Sequence, residues 1–245
     1  MLKKFIIFEI FIIVVCAKEI CHLVDQKLQN SGKIHKKMKC ALDIIVDLEY
    51  RVDKPDQIHF YCYKPASNFY NLLPLINEIF RQNLELVNSL LVTNCELPEH
   101  YSMLEVKFPN VFRLILMNIR LTKKFFDMES KIEEIEVDYV NDMEMENFPF
   151  FKMPKLRKID FRLSGLHPLV LKKDALIDNR HLTDVRIRSS NIKMLPDNLF
   201  RYSTNVQHID FYNNEIKHVP NTLFTNLTSL QTIKFRSNMI ESIDL

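Results

Sequence analysis

Eight histidines, His22, His35, His59, His100, His167, His181, His208 and His218, and the carboxylates Glu134, Glu136 and Asp138 are the residues whose types could run acid–base chemistry. Histidine catalysis needs a reacting partner within hydrogen-bond reach, and covalent catalysis needs an activated nucleophile beside the base. None of these histidines stands in a recognisable catalytic spacing. His208 and Asp210 would share one face of a strand, but no nucleophile accompanies them. Glu134, Glu136 and Asp138 would likewise share a face, and oxygens from a single strand converge too poorly to hold calcium. They read as charged surface. Cys21, Cys40, Cys62 and Cys95 have neither Cys-Xaa-Xaa-Cys nor His-Xaa-Xaa-Xaa-His near them, which argues against zinc. With only Gly32 and Gly165 in the chain, P-loops, dinucleotide fingerprints and nucleophile elbows are absent. No catalytic site, metal or cofactor is implied. One modification motif stands out: Asn226-Leu227-Thr228 is an N-glycosylation acceptor if the chain is exported.

The elements that must position such residues follow from patterning. The chain has 245 residues, is 47% hydrophobic and 26% charged, and carries a net charge of +2. That is ordinary for a folded protein and gives no electrostatic reason for a nucleic-acid partner. Lys3 and Lys4, the apolar run Phe5 to Val15 and the small Ala17 have the layout of a secretory signal, with cleavage expected after Ala17. No later run approaches the ~18 apolar residues of a membrane span. After export, the four remaining cysteines sit in an oxidising compartment, where three pairings are open and spacing does not choose among them.

From Val87 onward the chain repeats. Leu182, Val185, Ile187, Ile192 and Leu195 recur as Val206, Ile209, Phe211, Ile216 and Val219, and again as Leu230, Ile233, Phe235, Ile240 and Ile243. Weaker copies start at 87, 111, 132 and 156, so seven starting points step by 24, 21, 24, 26, 24 and 24 residues. The ninth place holds Cys95, Ile119, Val140, Ser164, Ser190, Asn214 and Asn238. A polar residue there can turn inward and bond backbone groups of the adjoining turn, which apolar Ile119 and Val140 cannot. Cys95 is expected to stay reduced in this column. Upstream, the period-two alternation from Cys40 to Tyr50 predicts a half-buried strand, and Gln57 to Tyr63 a second, joined as a hairpin through Pro55. Centring that hairpin on Lys54 sets Cys62 opposite Val46. Leu72, Leu75, Ile76, Ile79 and Phe80 fall at helical spacing.

The segment "VQHIDFYNNEI", followed by Val219-Pro220 and Leu223-Phe224, resembles the leucine-rich repeat of the 24-residue extracellular type, and the N-terminal texture is similar to that of secreted insect members. The resemblance implies an α/β solenoid: a horseshoe with a parallel concave sheet, an irregular convex side carrying the Leu-Phe pairs as a spine, and a hairpin cap at the N-terminus. It also makes a Cys40–Cys62 bond tempting, although the hairpin register separates the two, and Cys21 fits either no worse. The organisation expected is a signal at 1–17, a cap region at 18–82 and about seven repeats at 83–245, the last incomplete and open to pairing with a second copy. Family members usually bind through the concave strand positions, the third, fifth and seventh of each unit. Here these run from an apolar patch through the acidic row Glu134, Glu136 and Asp138 into rows rich in Arg and Lys. The expected ligand contacts are Lys158, Arg162, Arg186, Arg188, His208, Asp210, Tyr212, Lys234 and Arg236, with Tyr212 an aromatic anchor. The competing reading has these charges bridging between neighbouring strands. The implied function is non-catalytic recognition of a protein or pathogen-surface ligand outside the cell, in immune recognition or adhesion. The alternatives are part of a larger receptor ectodomain, or an intracellular adaptor if the leader is retained.

Overall fold

The structure is a computed structural model, and it describes residues 14–16, 19–28, 33–40, 44–51, 54–62, 84–97, 99–121, 125–126, 129–138, 150, 153–163 and 168–243. The expected cleavage point at Ala17, the helical spacing between Leu72 and Phe80, and the ninth-place residues Val140 and Ser164 lie outside them. Seven short strands follow the repeat: β6 (Ser89–Thr93), β7 (Arg113–Met117), β8 (Glu134–Asp138), β9 (Lys158–Arg162), β10 (Asp184–Arg188), β11 (His208–Asp210) and β12 (Thr232–Lys234). They pair in parallel, each with the next turn of the chain, so Ser89, Arg113, Glu134, Lys158, Asp184, His208 and Thr232 form one row across the sheet. This is the register that the aligned apolar positions predict.

Alternation sets the burial. Leu114 and Leu116, Ile135 and Val137, Ile159 and Phe161, Val185 and Ile187, and Ile209 and Phe211 are buried in a single core, while their neighbours face outward. A unit alone could not cover those side chains; the next turn does so. In the last strand of the large sheet Ile233 is 45% exposed, whereas its row partner Ile209 is 1% exposed. The return paths are irregular. A seven-residue helix, α1 (Tyr101–Lys107), buries Tyr101 and Leu104 one turn apart, and Tyr101 packs on Phe125 and Phe126 at 5.8 and 5.7 Å between ring centres. Leu199, Phe200 and Leu223 are buried on later return paths, and Phe224 meets Phe235 edge-on at 6.4 Å.

Two columns of bonds hold successive turns together. At the entry to each strand, one carbonyl accepts two N–H groups of the following turn: Asn88 from Phe112 and Arg113, Glu133 from Arg157 and Lys158, and Thr183 from Gln207 and His208. At the ninth place, the Asn214 amide donates to the carbonyls of Ile187 and Phe211 at 2.8 and 3.0 Å and accepts from the N–H groups of Ser190 and Ile192 at 3.0 and 3.2 Å. Asn238 repeats the arrangement with Phe211, Phe235 and Ile216. Ser190, with less capacity, accepts from the Leu163 N–H and donates to the Arg188 carbonyl. Ile119 is buried without such bonds of its own side chain; its predecessor Asn118 binds the Asp138 carbonyl through its N–H and Asn94 through its amide.

The N-terminal end departs in two respects from expectation. The predicted hairpin is present as β4 (Ile44–Arg51) and β5 (Lys54–Cys62), antiparallel and with Cys62 opposite Val46. It begins at Ile44, however, and Cys40 ends a separate strand, β3 (Lys33–Cys40), which pairs with β4 and with β2 (Glu19–Leu28). A three-residue strand, β1 (Val14–Cys16), pairs with β2. Strand β5 then runs parallel to β6, so the antiparallel cap and the solenoid form one continuous sheet. The second departure is Cys95. It is bonded to Cys62 as a disulfide with a Cα–Cα distance of 5.0 Å. The register explains why: Tyr61 lies opposite Thr93, which brings Cys62 beside the turn where Cys95 points inward. A covalent bond to the cap therefore replaces the hydrogen bonds that an Asn would make there.

Candidate binding face

The outward residues of β6 to β12 stand on one surface in the rows that the sequence predicts. The structure separates them into two groups. In the middle rows, opposite charges meet across strands. Arg113 lies 3.6 Å from Glu134 and 3.8 Å from Glu136; Lys158 lies 3.0 Å from Glu134; Arg162 lies 3.5 Å from Asp138. Arg186 lies 3.7 Å from Asp160 and 3.3 Å from Asp184, and Arg188 bonds Asp160 at 2.5 Å. Of the expected contacts, Lys158, Arg162, Arg186 and Arg188 thus already have carboxylate partners. Burial alone would lower the Arg188 guanidinium, but its hydrogen bond to Asp160 and the charges of Asp160, Asp210 and Asp138 outweigh this and hold it above the ordinary arginine value. A depression of about 280 Å³ opens among these pairs, lined by Arg113, Glu134, Glu136, Lys158, Asp160 and Arg186.

The later rows differ. His208 faces Thr232 at 3.3 Å, and Asp210 accepts the Tyr212 N–H at 3.0 Å. The Tyr212 ring is 43% exposed, and the Lys234 and Arg236 side chains are exposed with no ion pair among the described residues. No group of three or more His, Cys, Asp or Glu among the described residues is arranged to hold a metal ion.

Glu136 marks the centre of the acidic row. It sits directly opposite Asp160 and two residues before Asp138. Burial, then the Asp160 charge, raises its carboxyl above the ordinary value of 4.5, with Arg113 opposing. The folded state therefore holds this proton more tightly than the unfolded chain, so the contribution is most favourable in acid and is lost as pH rises through the raised value. Glu136→Gln removes the repulsion. It is expected to raise the urea midpoint at pH 7, by about 0.5 kcal/mol after screening because the side chain is 40% exposed, and to leave it unchanged at pH 3. Equal shifts at both pH values would show that the charge is not the cause.

Sequence reasoning missed a column on the adjoining edge. Asn94, Asn118, Ser189, Asn213 and Ser237, each in the eighth place, have φ between 48° and 60°. They turn the chain out of the strand in the left-handed region, where Asn is tolerated better than most non-glycine residues. The signal was readable as a run of Asn and Ser one place before the ladder.

A coil of parallel strands, one per turn, with inward amides at a fixed place is a leucine-rich repeat solenoid. Residues 180–244 match the family model described as leucine rich repeat. No curated protein matches the sequence. Among solved structures, the chain is similar to one in "Structure of the Toll - Spatzle complex, a molecular hub in Drosophila development and innate immunity", with 18% identity and a TM-score of 0.44 over 86% of this chain. It spans 34% of that chain's length.

Proposed function

We propose that this chain is a secreted, non-catalytic binding protein that recognises a protein or pathogen-surface ligand through the later rows of its concave sheet, in immune recognition or cell adhesion. The observation that carries the reading is the division of charge. Rows from Arg113 to Arg188 neutralise one another, each exposed pair being worth only about 0.2–1 kcal/mol, whereas Lys234 and Arg236 stand beside the half-exposed Tyr212 ring without carboxylate partners among the described residues. Tyrosine and arginine side chains such as Tyr212 and Arg236 anchor interfaces. The partner surface that complements them carries an acidic strip. Export is supported by the leader-like layout before Ala17 and by the Cys62–Cys95 bond, since disulfides persist in oxidising compartments. The exposed acceptor Asn226, with Thr228 also exposed, suits a glycan on the return path. No helix among the described residues is long and apolar enough to cross a membrane.

Capture of partners from extracellular fluid by the wild type, by one triple variant and by one double variant tests this. Tyr212→Ala with Lys234→Ala and Arg236→Ala is expected to lose capture by at least about a hundredfold, as removal of a central anchor cluster does. Arg186→Ala with Arg188→Ala is expected to keep capture and to lose stability instead. The reverse outcome would move the site to the middle rows.

A further inference from the structure

With Cys62 and Cys95 joined to each other, the register of the cap assigns the other two cysteines of the exported chain. Strands β2 and β3 are antiparallel, and Cys21 is the direct partner of Cys40, followed in step by His22 with Lys39 and Leu23 with Met38. The irregularity in this pair lies beyond Leu23, away from the cysteines. Directly opposed residues of antiparallel strands have Cα atoms about 4.5–5.5 Å apart, inside the range of about 4.4–6.8 Å that a disulfide spans. The competing partner is too far: β4 lies between β3 and β5, which puts Cys40 and Cys62 on strands roughly 9.5 Å apart. Cys16 lies opposite Glu19, off the Cys21 row, and within the segment expected to be removed.

We infer that Cys21 and Cys40 form a cross-strand disulfide, so that the cap is closed on itself by one bond and fixed to the first repeat by the other. In the cell this rests on the export reading, which supplies the oxidising compartment. The step is thiol–disulfide exchange with a small-molecule or protein disulfide. The Cys21 thiolate attacks that disulfide and releases one thiolate; the Cys40 thiolate then attacks the Cys21 sulfur and releases the second. Two cysteine thiols are oxidised, one disulfide is reduced to two thiols, and the protons pass to the departing sulfurs.

The sequence makes the test clean. Lys54 and Lys64 precede Pro55 and Pro65, so trypsin leaves the four cysteines on separate peptides, 19–27, 40–51, 52–81 and 82–107. The exported form of the chain, beginning at Lys18, is refolded in a mixture of reduced and oxidised glutathione, alkylated with iodoacetamide in denaturant, digested and weighed without reduction. The expected result is a linked pair of 19–27 with 40–51 beside a linked pair of 52–81 with 82–107. Alkylated Cys21 and Cys40, or 19–27 joined to any other peptide, would overturn the inference. A Cys21→Ser chain should leave 40–51 alkylated and the other pair intact; loss of both pairs in that variant is decided by the wild-type map. Because glutathione stands in for the compartment, retention of the chain inside cells would sink the export reading without touching this result.

Discussion

Asn214→Ala is expected to lower the unfolding free energy by about 3–5 kcal/mol, because it strands two buried N–H groups at about 1–3 kcal/mol each. The side chain is 6% exposed and serves two backbone donors and two acceptors of two adjoining turns. Alanine leaves the N–H groups of Ser190 and Ile192 facing the core with nothing to accept them. The neighbour Asn213 supplies the control. It is exposed and makes one lateral bond, to Ser189, so Asn213→Ala should cost only the left-handed backbone term of about 1–2 kcal/mol. Urea unfolding of the two variants side by side checks this. Equal losses would mean that the inward amide is not what joins the turns.

Removing the Cys62–Cys95 bond by paired alanine substitution is expected to cost about 3–4 kcal/mol, the value for a closed loop of this length, with the sequence separation being 33. The loss should be local as well as large. Strand β5 is the hinge between the antiparallel cap and the parallel turns, so amide exchange of Lys54–Cys62 should accelerate while β9 and β10 stay protected. Uniform acceleration along the whole sheet would show instead that the cap and the coil unfold as one body.

Much of this architecture was legible because one physical constraint repeats. A unit that cannot cover its own apolar edge must present it at the same place every time, so Leu182, Val206 and Leu230 announce both the period and the register. Ile209 and Phe211 are buried as expected, and the inward bonds of Asn214 are those an amide at that place should make. What failed has equally physical causes. Cys95 occupies a ladder position, and its spacing says nothing about a strand brought beside it from 33 residues away. Strand β3 alternates Ile34, Lys36, Met38 and Cys40 with His35, Lys37 and Lys39, so lysines on both faces mask the half-apolar row. The entry carbonyls of Asn88, Glu133 and Thr183 are backbone groups, and no side-chain pattern can report them. The outward face of the parallel sheet was readable as zones of charge. Its division into paired and open rows was not, because Arg188 finds Asp160 only once two strands are placed side by side.

The left-handed residues at the strand exits give the coil a property that glycine could not. Glycine would make the same bend with less steric cost, but it has nothing to reach sideways with. Here the residue that redirects the backbone also clasps its counterpart above or below, Asn118 to Asn94 and Asn213 to Ser189, both at 3.0 Å. A chain with two glycines in 245 residues thus stitches its own rim, and the spacing of its coils along that edge is gauged by the length of an amide.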